Sequence, residues 1–225
     1  MDIGGRVPFP DMLPAEERAA FVQLGTRCHY TAGDVLIREG DHEQELIVLH
    51  QGVTKVTGRL DGDRVSLMDI RIGGDIVGEV AAVDSGPRSA TVTACGVVAA
   101  TVISPDELEP FLLAYPEGGR ALRRWLGGQL RRSDRRRLEF GGYPAPVRLA
   151  RVLVELAVLY GRQDRNSTVR IDVNLSQSEF AALTGAKTRT VRKALADLRK
   201  DGIVTTGCRQ TYVRDLPRLR KAARL

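Results

Sequence analysis

An α+β fold is predicted by three changes of pattern along the 225 residues. Short apolar runs alternate with Gly/Asp turns as far as Ile103, an amphipathic helical stretch follows Pro116, and two short helical segments and a hairpin lie beyond Leu175. The expected organisation is a β jelly roll over residues 1–115, a long helix over 116–140 and a winged helix-turn-helix over 141–225.

Ala19, Ala20, Phe21 and Leu24 recur at helical spacing, so one short amphipathic helix is expected between Pro14 and Leu24. The strands expected after it are Val35 to Ile37, Leu46 to Leu49, Val53 to Val56, Val65 to Ile70 and Val97 to Ile103. Ala32-Gly33-Asp34, Glu39-Gly40-Asp41, Asp61-Gly62-Asp63 and Gly73-Gly74-Asp75 separate them. A turn every ~8–12 residues argues for a β sandwich or jelly roll, and Asp61-Gly62 is the best hairpin turn.

From Pro116 to Phe140 the period lengthens. Leu122, Leu126, Leu130, Ser133, Arg137 and Phe140 are spaced 4, 4, 3, 4 and 3, as in a coiled-coil seam, with arginines at the flanks. An Arg-rich helix is ordinarily a solvated face. Here the narrow apolar stripe points to pairing with another helix, most simply a second copy. Gly127-Gly128 costs roughly 1 kcal/mol per Gly relative to Ala, so it marks either a close helix approach or a bend. Gly141-Gly142-Tyr143-Pro144-Ala145-Pro146 breaks the helix and reads as an interdomain hinge. An apolar helix from Val147 to about Leu159 follows, and Val169 to Val173 alternates like a strand.

Charge divides the chain. Residues 1–115 hold 9 Lys/Arg and 18 Asp/Glu, a balance of −9, whereas residues 116–225 hold 25 and 10, a balance of +15. Such asymmetry implies a polyanion partner for the second half. Cys28, Cys95 and Cys208 stand singly, without metal-site spacing, so no metal site is expected. No signal pattern opens the chain and no apolar run approaches ~18 residues, so no membrane contact and a cytoplasmic location are expected.

The polyanion reading is sharpened by local chemistry. Ser176-Gln177-Ser178-Glu179 is a capping box, Phe180, Ala181 and Leu183 give an inward face, and Thr184-Gly185-Ala186 gives a turn. Val191, Leu195 and Leu198 continue the apolar spacing on a second helix. That is a helix-turn-helix outline, an alternative being an ordinary charged helical hairpin. Thr188, Arg189, Arg192 and Lys193 fall on the outer face, where Arg and Lys suit guanine O6/N7 and Thr suits a thymine methyl or a phosphate. Gln177 and Ser178 at the first helix start, and Arg209 near the tip of a β-wing over Ile203–Val213, complete the DNA-contact candidates. Lys187 stands where Ser or Thr ordinarily caps, so Thr188 either caps the helix or reads bases.

A second constellation lies in the acidic half. Gly78 admits close backbone approach, Glu79 can accept from a sugar hydroxyl, and Arg88, nine residues on, can fork onto a phosphate with help from Ser89 and the Ala90 amide. Taken singly, Glu79 and Arg88 read as a surface ion pair.

With Ala32-Gly33-Asp34, Glu39-Gly40-Asp41, Gly73-Gly74-Asp75, Gly78-Glu79, Pro87-Arg88-Ser89-Ala90-Thr91-Val92 and Leu175 to Leu195, the chain resembles the cyclic-AMP receptor protein/FNR superfamily of bacterial transcription regulators from about residue 12 to 220. The resemblance implies a cyclic-nucleotide-binding jelly roll, a dimerising helix and a winged helix-turn-helix. It also implies that Gly78, Glu79, Val80, Arg88, Ser89 and Ala90 line a sugar-phosphate pocket, with cyclic AMP or a related cyclic nucleotide as effector. Ser133 and Asp134 match the two adjacent hydroxyl residues that meet the purine in the family's nucleotide binders. Asp134 departs from that pattern: its carboxylate either accepts from an exocyclic amine or pairs with Arg135 to Arg137. An altered effector, or none, is the alternative.

The implied partners are a double-stranded DNA operator, a second copy of the chain and, for an activator, RNA polymerase. The missing amino-terminal cysteine cluster argues against the iron–sulfur branch, and His29, His42 and His50 read as polar residues rather than haem ligands. A regulatory subunit of an enzyme is the rival from another class. Against it, the second half has no Gly-rich phosphate loop, Cys/His pair or G-x-S-x-G, and no catalytic residue is assigned.

Overall fold

The alternating runs fold as two packed sheets. The computed structural model describes residues 7–60, 64–163, 168–171, 173–207 and 210–225; the Asp61-Gly62-Asp63 turn, Cys208 and Arg209 lie outside them. A 3-10 turn at Phe9–Met12 and helix α1 (Ala15–Phe21) precede strands β1 (Thr26–Tyr30), β2 (Val35–Ile37), β3 (Leu46–Gln51), β4 (Val53–Arg59), β5 (Val65–Ile72) and β6 (Ile76–Val77). Helix α2 (Glu79–Asp84) leads to β7 (Thr91–Ala94) and β8 (Val98–Ile103). The antiparallel sheets run β1-β8-β3-β6 and β2-β7-β4-β5. Between them Ile37, Ile47, Leu49, Val77, Val92, Ala94, Val98 and Ala100 form one apolar cluster.

Three of these strands escape the apolar-run criterion for physical reasons, β6 because it is only two residues long. Thr26–Tyr30 is a mostly polar edge strand that pairs only with β8. Thr91–Ala94 alternates strictly, with Val92 and Ala94 buried between half-exposed threonines, but only two of its side chains face the core.

Helix α3 (Pro105–Ala114) starts at a capping box, with Pro105 in its first turn. The backbone N–H of Ser104 donates to Glu107 Oε2 at 3.1 Å, and Gly25 N–H donates to Glu107 Oε1 at 2.9 Å. The long helix α4 spans Pro116–Gly142 and continues through Gly127-Gly128. Its first turns face the roll rather than a seam: Ala121, Leu122 and Trp125 join Phe9, Phe21, Leu108 and Phe111 in a second apolar cluster. Leu122 is therefore a core residue, and burial of such a side chain contributes roughly 1.5–3 kcal/mol. Leu130 and Leu138 are exposed.

Gly141 and Gly142 form the last turn of α4, and the chain turns at Tyr143-Pro144 into α5 (Ala145–Tyr160). Strands β9 (Gly161–Gln163) and β10 (Val169–Ile171), helices α6 (Gln177–Thr184) and α7 (Thr188–Lys200), strands β11 (Val204–Gly207) and β12 (Gln210–Val213), and helix α8 (Leu216–Ala222) follow. The four strands form one sheet, β11-β12-β10-β9. Leu149 and Leu153 of α5, Phe180 of α6, Val191 and Leu195 of α7, and Leu219 of α8 are buried.

The chain divides into two compact units, residues 7–132 and residues 133–225, and the division falls within α4. Among the described residues no helix is long and apolar enough to cross a membrane.

Candidate effector and DNA-binding sites

Arg88 sits in the stretch between α2 and β7, pinned to the Glu39-Gly40-Asp41 turn. Its N–H donates to Asp41 O at 2.8 Å, and its carbonyl accepts from Gly40 N–H at 2.9 Å. The side chain turns inward and the residue is 4% exposed. Nη1 donates to the backbone carbonyls of Glu45 (2.9 Å) and Gly78 (3.2 Å), and Nη2 donates to Glu45 Oε2 at 3.0 Å. Gly78 makes this possible. Its φ of 82° is left-handed, and a Cβ there would lie 2.6 Å from Arg88 Nη1. Nε of Arg88 is buried and has no hydrogen-bond partner among the described residues. A guanidinium presents Nε and Nη2 along one edge, the edge that forks onto an oxyanion.

Glu79, the first residue of α2, is also buried, at 8% exposure. Glu79 and Arg88 are thus neither on the surface nor each other's partner. Glu79 shares its surroundings with Arg71, Asp69 and Asp75, and Arg71 donates to Asp69 Oδ2. Burial pushes the Glu79 carboxyl above its ordinary value; the Arg71 charge opposes that shift, and the two aspartates add to it. Neither Arg71 nor Glu45 was among the sequence candidates. An arginine set between Ile70 and Ile72 in an apolar run is the sequence signal for the first, and nothing local marks the second. Ala90 is buried, while Ser89 and Val80 are exposed. Ser133 and Asp134 lie on α4 within the C-terminal unit, and both are exposed. Among the described residues no cluster of His, Cys, Asp and Glu could hold a metal ion.

In the C-terminal unit the capping box closes as its sequence dictates. Ser176 Oγ accepts from Glu179 N–H at 3.2 Å, and Ser176 N–H donates to Glu179 Oε2 at 2.7 Å. Helix α6 ends in a Schellman turn: Gly185 (φ 56°) donates to Ala182 O and Ala186 to Ala181 O. Helix α7 then starts at Lys187 with no side-chain cap, so Thr188 is the first helical residue. Thr188, Arg189, Arg192 and Lys193 are all exposed, opposite the buried Val191, Ala194, Leu195 and Leu198. Thr190, absent from the sequence candidates, is exposed beside them. Gln177 and Ser178 are exposed on α6, and Ser178 Oγ lies 2.9 Å from Ser176 Oγ.

Arg148 joins two helix ends within this unit. Nη1 donates to Phe140 O (2.7 Å) and Tyr143 O (2.8 Å), Nε to Thr184 O (2.7 Å) and Nη2 to Gly185 O (3.2 Å). One guanidinium thus closes the ends of α4 and α6 together. Arg151 reinforces the junction through Glu139 Oε1 at 2.8 Å and the Ala223 carbonyl at 3.0 Å.

The two halves match two domain families, the cyclic nucleotide-binding domain over residues 27–115 and the Crp-like helix-turn-helix domain over residues 147–222. A CRP-like cAMP-activated global transcriptional regulator of Mycobacterium tuberculosis is 30% identical over 195 residues, covering 87% of each chain. The chain belongs to the CRP/FNR superfamily of transcription regulators. The transcriptional regulator LdrP of Thermus thermophilus is 29% identical, over 84% of this chain and 93% of that one. The fold is shared with TTHB099 of Thermus thermophilus, a CRP-family regulator (TM-score 0.74, 24% identity, 88% and 97% covered). It is shared too with FixK2 of Bradyrhizobium japonicum (TM-score 0.75, 21% identity, 88% and 97% covered). As a CRP/FNR regulator the protein binds DNA through its helix-turn-helix and carries a cyclic-nucleotide-binding domain. Its relatives are regulators of transcription, not enzymes.

Proposed function

We propose that this CRP/FNR protein is a cytoplasmic homodimer whose grip on an operator is set by a cyclic nucleotide, cyclic AMP in the first instance. The observation that carries the reading is the Arg88 edge. A buried Nε–H without an acceptor among the described residues, beside an Nη2 with one N–H to spare, suits a phosphate oxygen pair. The name of the mycobacterial relative, a cAMP-activated regulator, supports the same effector.

In this reading Gly78, Glu79, Val80, Arg88, Ser89 and Ala90 surround the sugar-phosphate, with Ser133 and Asp134 at the purine. Exposed Leu130 and Leu138 on a heavily charged helix supply a pairing face for a second copy. Two copies of α7, with Thr188, Arg189, Arg192 and Lys193, would enter successive major grooves roughly 34 Å apart, with Gln177, Ser178 and Arg209 on flanking phosphates. Effector binding shifts the population between two dimer arrangements, and an activating arrangement would present the dimer to RNA polymerase.

Calorimetric titration of the full chain with cyclic AMP and cyclic GMP, beside an operator-binding assay with and without each, tests this directly. Arg88→Ala should cost roughly 2–5 kcal/mol of nucleotide affinity, the range for truncating one partner of a buried charge pair. Unchanged affinity in that variant would place the effector elsewhere. A second reading, a sensor with no effector, draws on the Glu45 carboxylate already seated on Arg88. It predicts no heat with either nucleotide and an operator affinity indifferent to both.

A further inference from the structure

Glu45 approaches Arg88 with two different groups, and they do different things. Its backbone carbonyl, with that of Gly78, fixes Nη1. Its carboxylate neutralises Nη2. The main chain of Arg88 is separately fixed to Gly40 and Asp41. Arg88 would therefore keep its position if the Glu45 side chain lost its charge.

The two side chains also differ in freedom. That of Arg88 is 3% exposed and that of Glu45 33% exposed, so the carboxylate is the more open to solvent and the freer to move. An oxyanion arriving on the Nε/Nη2 edge would lie within a few ångströms of that carboxylate, where like charges repel.

We propose that Glu45 is an internal counter-anion that competes with the effector's phosphate for Arg88 and so sets the effector concentration at which the protein responds. The proposal rests on the reading that Arg88 receives the phosphate. While Glu45 is seated, the site is electrically filled, and a small monovalent anion gains little by entering. An effector succeeds by adding contacts from its sugar and base that a bare anion lacks. Glu45 then either swings outward or keeps only the outer N–H of Nη2.

The test is calorimetric titration of the full chain, wild type against Glu45→Gln, with cyclic AMP, and thermal-shift measurements with inorganic phosphate. Glu45→Gln keeps the backbone carbonyl and the side-chain shape and removes the charge. It should bind cyclic AMP about tenfold more tightly, the scale of a one-unit charge interaction. It should also gain thermal stability in phosphate beyond that of the wild type. Both gains should vanish in the Glu45→Gln/Arg88→Ala double variant, and Glu45→Ala should reproduce them if the amide perturbs folding. Equal or weaker cyclic AMP binding by Glu45→Gln, with Arg88 still required, would overturn the proposal and make Glu45 a positioning residue. If no variant binds cyclic AMP, the cyclic AMP reading fails. A phosphate gain confined to Glu45→Gln would then still uphold the competing carboxylate, and its absence would sink that as well.

Discussion

Arg88 of the sensor and Arg189 of the DNA reader meet their surroundings in opposite ways. Arg88 is buried and its guanidinium is held by two carbonyls and a carboxylate. Arg189, Arg192 and Lys193 stand on the open face of α7 with no hydrogen bond or ion pair among the described residues. The difference follows from the size of the partner. A small anion must be enclosed, and an enclosed cation without ligand needs internal partners to offset its desolvation. A duplex presents a row of phosphates to a surface, so hydrated cations can wait unpaired and release counterions on contact. One region is built for selectivity through placement, the other for affinity through field.

Arg148 sharpens the contrast because it is held like Arg88, yet its hydrogen bonds among the described residues go to carbonyls, with the Phe140 ring 5.6 Å from its guanidinium carbon. With no ligand edge in prospect, its role is to position the turn before α7. Arg148→Ala leaves two helix ends open together and should destabilise the C-terminal unit by on the order of 3 kcal/mol, as lost hydrogen bonds to a charged group imply. Arg148→Lys should recover little, since an ammonium cannot fork across carbonyls on both helices. Calorimetric unfolding reads the first effect and operator affinity at a temperature where the variant is folded reads the second. Undiminished operator affinity would show that the α4–α6 junction does not set the recognition helix.

The open face gives the next largest effect. Arg189→Ala or Lys193→Ala should weaken operator binding by ~1–3 kcal/mol and relax specificity at one base position if the side chain reads a base edge. A uniform loss across operator and random duplexes, with a salt slope shallower by about one, would make that residue a phosphate contact.

How far the sequence could be read follows from the range over which each interaction acts. The Ser176–Glu179 capping box spans three residues, so its chemistry is visible in the string and closes as written. The same signature at Ser104–Glu107 is equally visible and marks α3, which an apolar-run reading passes over. Arg88 and Gly78 are legible as a pair, but Glu45 lies 43 residues from Arg88, and only the β3–β6 pairing and the turn at Gly40 bring it close. Leu122 has the spacing of a seam residue, yet spacing says nothing of which neighbour an apolar face meets; Phe9, Phe21 and Phe111 decide that it is core. Glu79 reads as a free acceptor in the string because the charges around it, Asp69, Arg71 and Asp75, assemble about it only in the folded chain.

That charge cluster supplies the smallest effect and the sharpest sign. Burial raises the Glu79 carboxyl above the ordinary glutamate value of 4.5, so the folded chain holds this proton more firmly than the unfolded chain does. Below that value both states are protonated and folding gains the full benefit. As the pH rises, the unfolded glutamate ionises first and the benefit drains away until the folded carboxyl also ionises. Glu79→Gln has no such proton to lose. Without effector it should therefore match the wild type near pH 4.5 and become the more stable of the two towards neutral pH. Melting temperatures of both proteins from mildly acidic to neutral pH give the comparison. A wild type more stable than Glu79→Gln at neutral pH would mean that Arg71 holds the carboxylate charged and that it needs no proton. Glu79 would then be neutralised from within in the same way as Arg88, and both charges of the proposed clamp would be partnered before any effector arrives.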